Sequence, residues 1–132
     1  MLVLVGIGVY ANSLRGPFVF DDYPAILNNG DIRQLTPLWQ SPKTSERPSI
    51  NSRPLVRLSL ALNYAWGGLE VGGYHAVNIV VHIGCALVFY ALLLRALGGR
   101  RAASCGALLW LVHPLNSQVV NYITQRSESL MA

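Results

Sequence analysis

Two adjacent carboxylates, Asp21 and Asp22, stand in the stretch Phe20-Asp-Asp-Tyr23. Neighbouring carboxylates repel, which can keep one of them ready to take a proton, and a pair can also share a divalent cation. The plainer alternative is a helix cap in front of Pro24. Arg53 and Arg57 are one helical turn apart and would present two guanidinium groups to one point. A planar guanidinium suits phosphate, and ordinary lipid head groups would satisfy the same spacing. Arg126 and Glu128 follow an apolar stretch interrupted by His113-Pro114. Ionisable groups near membrane depth are functional candidates, with a surface ion pair as the alternative. His75, Asn78, His82 and Cys85 recur at spacings of three, four and three, one stripe of a helix suited to interhelical hydrogen bonding. No acidic ligand accompanies that stripe, which argues against a metal site there.

The elements that must position these residues are apolar. Of 132 residues, 52% are hydrophobic and 12% charged. Soluble domains carry about 25% charged residues, so lipid is the expected solvent for part of the chain. The net charge is +4 with no basic run interleaved with aromatics, which speaks against nucleic acid and for lipid head groups or an anionic substrate. Cys85 and Cys105 lie in apolar stretches without metal-binding spacing and read as small buried hydrophobes.

The pattern predicts an all-α polytopic membrane protein with about three transmembrane helices. Residues 1–14 read as the end of a first span. Residues 15–73, which hold six of the seven prolines, read as a long extracytoplasmic loop. Within that loop Pro54–Trp66 reads as an interfacial helix, with Arg53, Arg57 and Asn63 to one side and Leu and Val to the other. Residues 74–94 carry no Asp, Glu, Lys or Arg and read as the second span. Residues 95–101, with Arg95, Arg100 and Arg101, form a turn held on the cytoplasmic side by the positive-inside rule. Residues 102–120 return as a third span disturbed by Pro114, and 121–132 begin the next extracytoplasmic segment. The 15–73 loop and the stretch beyond about residue 115 then share one compartment and can build one site. Three spans leave too many polar groups for a self-contained bundle, so a larger membrane domain is expected.

Six stretches occur in an order that resembles a known family. They are Tyr10-Ala-Asn-Ser-Leu14, Phe18-Val-Phe-Asp-Asp-Tyr-Pro-Ala-Ile26, Ser52-Arg-Pro-Leu-Val56, Gly73-Tyr-His-Ala-Val-Asn78, His113-Pro-Leu115 and Tyr122-Ile-Thr-Gln-Arg-Ser-Glu-Ser-Leu130. The ordered set resembles the N-terminal membrane domain of the transmembrane and tetratricopeptide-repeat O-mannosyltransferases and their bacterial relatives, in the GT-C glycosyltransferase superfamily. The resemblance implies a helical GT-C membrane domain with an extracytoplasmic active site and a C-terminal tetratricopeptide region. It implies a polyprenyl-phosphate sugar donor, such as dolichyl-phosphate mannose in eukaryotes, and a protein or glycan hydroxyl as acceptor. It makes Asp21-Asp22 the catalytic pair, with Asp21 first choice as general base. Arg53, Arg57 or Arg126 would neutralise the departing phosphate, supported by His113 and Glu128. No organic cofactor is implied, and a divalent metal ion is left open. The expected location is multi-pass in a bacterial inner membrane or the endoplasmic reticulum membrane, and residues 1–132 alone are expected to be inactive. A non-catalytic scaffold carrying repeats is the rival reading, against which the acidic pair stands. A transporter is a third, against which the unbroken 74–94 span stands.

Overall fold

The computed structural model describes residues 1–20, 22–28, 33, 54–126 and 130, and all regular structure among them is helical. The apolar N-terminal run forms helix α1, Leu2–Tyr10, which tightens into a 3₁₀ turn over Ala11–Arg15 and leaves it through extended backbone at Gly16. Tyr23–Leu27 makes a single π-type turn. Helix α2, Pro54–Gly67, begins with a proline, whose fixed φ and missing N–H suit a first turn. Gly68 then reverses the chain at φ +60°, in the left-handed region that glycine enters without penalty.

Helix α3, Val71–Leu97, is 27 residues long and stops at Gly98 (φ 67°), whose N–H bonds the Leu94 carbonyl at 3.0 Å. At 1.5 Å per residue it runs about 40 Å, more than the roughly 30 Å of a bilayer's hydrocarbon core. Among the described residues it is the helix long and apolar enough to cross a membrane. It exceeds the expected 74–94 at both ends because the flanking residues continue the same hydrogen-bonded ladder.

Of the three or so spans expected, the described helices support one, α3. The return segment expected over 102–120 is two helices, α4, Arg100–Leu111, and α5, Pro114–Asn121. Proline has no N–H to continue the ladder and its ring crowds the preceding turn, so the helix ends before it. The apolar Leu2–Arg15 stretch falls short of bilayer length.

Small residues bring these helices together. A Cβ on Gly106 of α4 would stand 2.7 Å from Leu93 Cδ1 of α3, and one on Gly6 of α1 would stand 2.7 Å from Ile83 Cγ1. Ala86, Ala103 and Ala107 are fully buried at the same seams. Without a side chain at those points the backbones approach closely, the usual route to helix association in lipid. The outward faces carry apolar side chains, among them Leu4, Val80, Val88, Leu92 and Leu109.

A second core sits at the N-terminal end of α3, where Ile26, Val56, Leu60, Tyr74 and Ile123 pack with Phe18 and Val71. It joins the 23–27 turn, α2 and the segment after α5 into a cap at the end of α3 opposite Arg95. Helix α2 docks here with its polar residues turned inward. Arg57 and Asn63 are buried beside Val56 and Leu60, while Leu55, Leu62 and Trp66 are exposed, Trp66 at 91%. An apolar outward face is the arrangement that suits lipid rather than water.

Candidate functional site

The break at Pro114 determines where the polar side chains of α1 and α3 go. Without the proline N–H, the Trp110 carbonyl loses its helical partner, and Asn116 Nδ2 donates to it at 2.8 Å. The next carbonyl, Leu111, accepts two bonds from other helices, from Tyr10 Oη–H at 2.7 Å and from His82 Nε2–H at 3.1 Å. The His82 ring is wedged edge-on against Tyr10 and stacks on Trp110. Two helical turns nearer the cap, His75 Nδ1–H donates to the Val120 carbonyl at 3.1 Å. Asn78 Nδ2 donates to Val119 at 3.4 Å and Tyr122 at 3.3 Å. The His75–Asn78–His82 stripe thus makes the interhelical bonds its spacing suggested, and its targets are carbonyls freed at the ends of α4 and α5. Buried carbonyls need such partners. Cys85, fourth in the stripe, is half-buried and forms no disulfide.

Arg126 lies one residue beyond the 3₁₀ turn Ile123–Gln125 and is fully buried. Its Nε–H donates to Asn78 Oδ1 at 2.6 Å. Nη2 donates to Asn63 Oδ1 at 3.1 Å and the Tyr74 carbonyl at 2.9 Å, and Nη1 reaches Ser59 Oγ at 3.4 Å. These four contacts tie the segment after α5 to α2 and α3, and all of them go to neutral oxygens. Burial lowers the guanidinium pKa to about 10, with Tyr74 acting weakly the other way, so Arg126 stays charged at neutral pH.

Asp22 is fully buried on the other side of the same turn. Its Oδ1 accepts the Thr124 N–H at 3.0 Å and its Oδ2 the Val19 N–H at 3.2 Å. No side-chain bond caps the 23–27 turn, so the helix-cap alternative does not describe it. Asp22 instead clamps the first loop onto the segment that ends in Arg126.

Of the residues singled out from sequence, Asp22, Arg57 and Arg126 come together in the cap. His113 does not join them. It is exposed at the other end of α5, where its Nδ1 accepts the Leu115 N–H at 3.3 Å and caps that helix. Asp21, Arg53 and Glu128 lie outside the described residues. Among the described residues no group of three or more His, Cys, Asp or Glu could hold a metal ion. Ser59 was not singled out as part of this site, nor was Asn63 read as a ligand of Arg126. Their spacing of four on α2 marks one polar stripe, the available sequence signal.

A bilayer-length helix, apolar outward faces and buried polar groups gathered at one end define a helical membrane protein. Its relatives name it more closely. Protein O-mannosyl-transferase TMTC3 of Mus musculus is 36% identical over 138 residues, covering 98% of this chain and 15% of that protein. Protein O-mannosyl-transferase TMTC4 of Homo sapiens is 33% identical over 97% of the chain and 20% of its own length. Protein O-mannosyl-transferase F38B6.6 of Caenorhabditis elegans is 33% identical over 99% and 21%. By sequence, over nearly its whole length, the chain is similar to one part of the TMTC protein O-mannosyl-transferases. It spans only about 15 to 21% of the length of these relatives. No family model matches the chain, and no solved structure matches it.

Proposed function

We propose that the protein of which these residues form part is a membrane glycosyltransferase. It moves a hexose from a polyprenyl-phosphate donor to a protein hydroxyl on the extracytoplasmic side. The observation that carries this is the relationship to proteins named O-mannosyl-transferases across 97–99% of the chain. In this reading the Leu2–Arg15 stretch and α4–α5 complete two further membrane crossings around α3. Arg95, Arg100 and Arg101 face the cytoplasm, which puts the cap on the opposite side.

The acceptor oxygen attacks the anomeric carbon, and the bond to the phosphate oxygen breaks with its electron pair. The hydroxyl proton passes to a carboxylate. Both oxygens of Asp22 accept bonds from backbone N–H groups away from solvent, which supports an anchoring role for Asp22 and favours the reading in which Asp21 takes the proton. Arg53 and Arg57 neutralise the leaving phosphate, since Arg126 is enclosed by its own four partners.

The test is sugar transfer by full-length Asp21→Asn and Asp22→Asn in membranes. Loss of a general base costs about 10²–10⁴-fold, so Asp21→Asn should fall at least a hundredfold at normal expression. Near wild-type transfer by Asp21→Asn would refute the assignment, whatever Asp22→Asn does.

A further inference from the structure

A cavity of about 560 Å³ opens between the end of α1, the start of α3 and α5. Its walls include Tyr10, Asn12 and Ser13 on one side, Ser117 and Asn121 on the other, and His75 from α3. The volume lies within the roughly 300–1,000 Å³ of small-molecule sites. Among the described residues, none of the side chains lining it is Asp, Glu, Lys or Arg. An uncharged wall of hydroxyls, amides and an imidazole does not match phosphate or carboxylate. It matches a neutral ligand rich in hydroxyl groups, with tyrosine surface for the apolar face of a ring.

His75 supplies the independent sign of a ligand. Its ring is 1% exposed, and Nδ1–H is committed to the Val120 carbonyl, so Nε2 is the free acceptor of the neutral imidazole. That Nε2 has no hydrogen-bond partner among the described residues. Buried acceptors are ordinarily satisfied, and one left open on a cavity-lining residue awaits a donor. Gly16 forms the adjoining wall, where a Cβ would stand 3.2 Å from Nε2. A side chain there would press on the nitrogen. The cavity also adjoins Asp22, because its lining residue Val19 donates its N–H to the Asp22 carboxylate.

We propose that this cavity binds a neutral, polyhydroxylated ligand of hexose size, with one hydroxyl donating to His75 Nε2. The proposal rests on the glycosyltransferase reading and places the sugar portion of a substrate on the Asp22 side of the cap, apart from the arginines proposed to take the phosphate.

The test uses full-length protein in lipid nanodiscs, with methyl α-D-mannopyranoside as the neutral probe and inorganic phosphate as the charged one. Ligand-observed NMR titration reads the affinity. The sugar should bind saturably, and Asn121→Leu and His75→Gln should each weaken it at least tenfold. Because His75 also holds Val120, Asn121→Leu on the outer wall is the variant that keeps the fold, checked by an unchanged melting temperature. Asp21→Asn should retain sugar binding. That separates the two readings, since a failed transfer assignment would leave the cavity result standing. Absence of sugar binding, or binding untouched by Asn121→Leu, overturns the proposal. So does phosphate competing with the sugar for the cavity.

Discussion

Replacing Arg126 with methionine keeps most of the stem's volume and removes the charge and all five N–H donors. Three of its bonds are short, to Asn78 Oδ1 (2.6 Å), the Tyr74 carbonyl (2.9 Å) and Asn63 Oδ1 (3.1 Å). Hydrogen bonds to a charged group contribute about 1.5–3 kcal/mol each, so three amount to about 6 kcal/mol. The opposing cost is burial of the guanidinium. A pKa lowered by burial to about 10 corresponds to about 3 kcal/mol against the charged form. The net loss for Arg126→Met is therefore about 3 kcal/mol. Arg126→Lys should recover only part of it, since one ammonium cannot reach oxygens on two helices at once. Denaturant unfolding of the full-length protein in detergent measures both, and an Arg126→Met/Asn63→Ala cycle should show coupling of about 1 kcal/mol or more. The pH dependence has a definite sign. With the folded pKa depressed, the native state releases this proton first, so its contribution to stability rises as the pH passes above about 10 and is flat below. Arg126→Met as stable as wild type would show that the neutral cage holds α2 to α3 without the charge.

The Leu111 carbonyl offers a second test, because Tyr10 and His82 both donate to it. Tyr10→Phe should cost about 1 kcal/mol, whereas adding His82→Phe should cost more than the sum of the singles, because only the double variant orphans the carbonyl. Unfolding midpoints of the three variants check this. Asn116→Ala should lower stability by about 1 kcal/mol, because without a proline N–H the Trp110 carbonyl keeps only the longer bond from the His113 N–H at 3.3 Å, and the loss should shrink in a Pro114→Ala background that restores the N–H. With Cys85 and Cys105 replaced, a cysteine at position 99 should be shielded from a membrane-impermeant thiol reagent in intact cells and one at position 44 should react. The reverse labelling would refute the proposed sidedness.

How far the sequence could be read depends on the range of each interaction. The α3 span was plain because absence of charge over Tyr74–Leu94 is a local property, and a disturbance at Pro114 was plain because proline acts on its own turn, although one span was expected through residue 120 where two helices stand. The orientation of α2 was not, although its amphipathic pattern was visible. A helical wheel separates Arg57 and Asn63 from Leu55 and Leu62 but cannot say which side meets the protein. In lipid the polar side turns inward, and only the position of Arg126 shows what it turns towards. That residue reads locally as a charge beside a membrane span, yet its partners stand 48 to 67 positions earlier in the chain. Asp22 reaches Thr124 across 102 positions, a link that no local pattern encodes. The two long-range clamps converge on one short turn, Ile123–Gln125. Asp22 grips it from the first loop and Arg126 follows from its C-terminal end. The Tyr122–Leu130 motif and the acidic-pair motif are therefore two halves of one structural unit. A perturbation of Arg126 should reach the acidic pair through Thr124, without either residue touching the other.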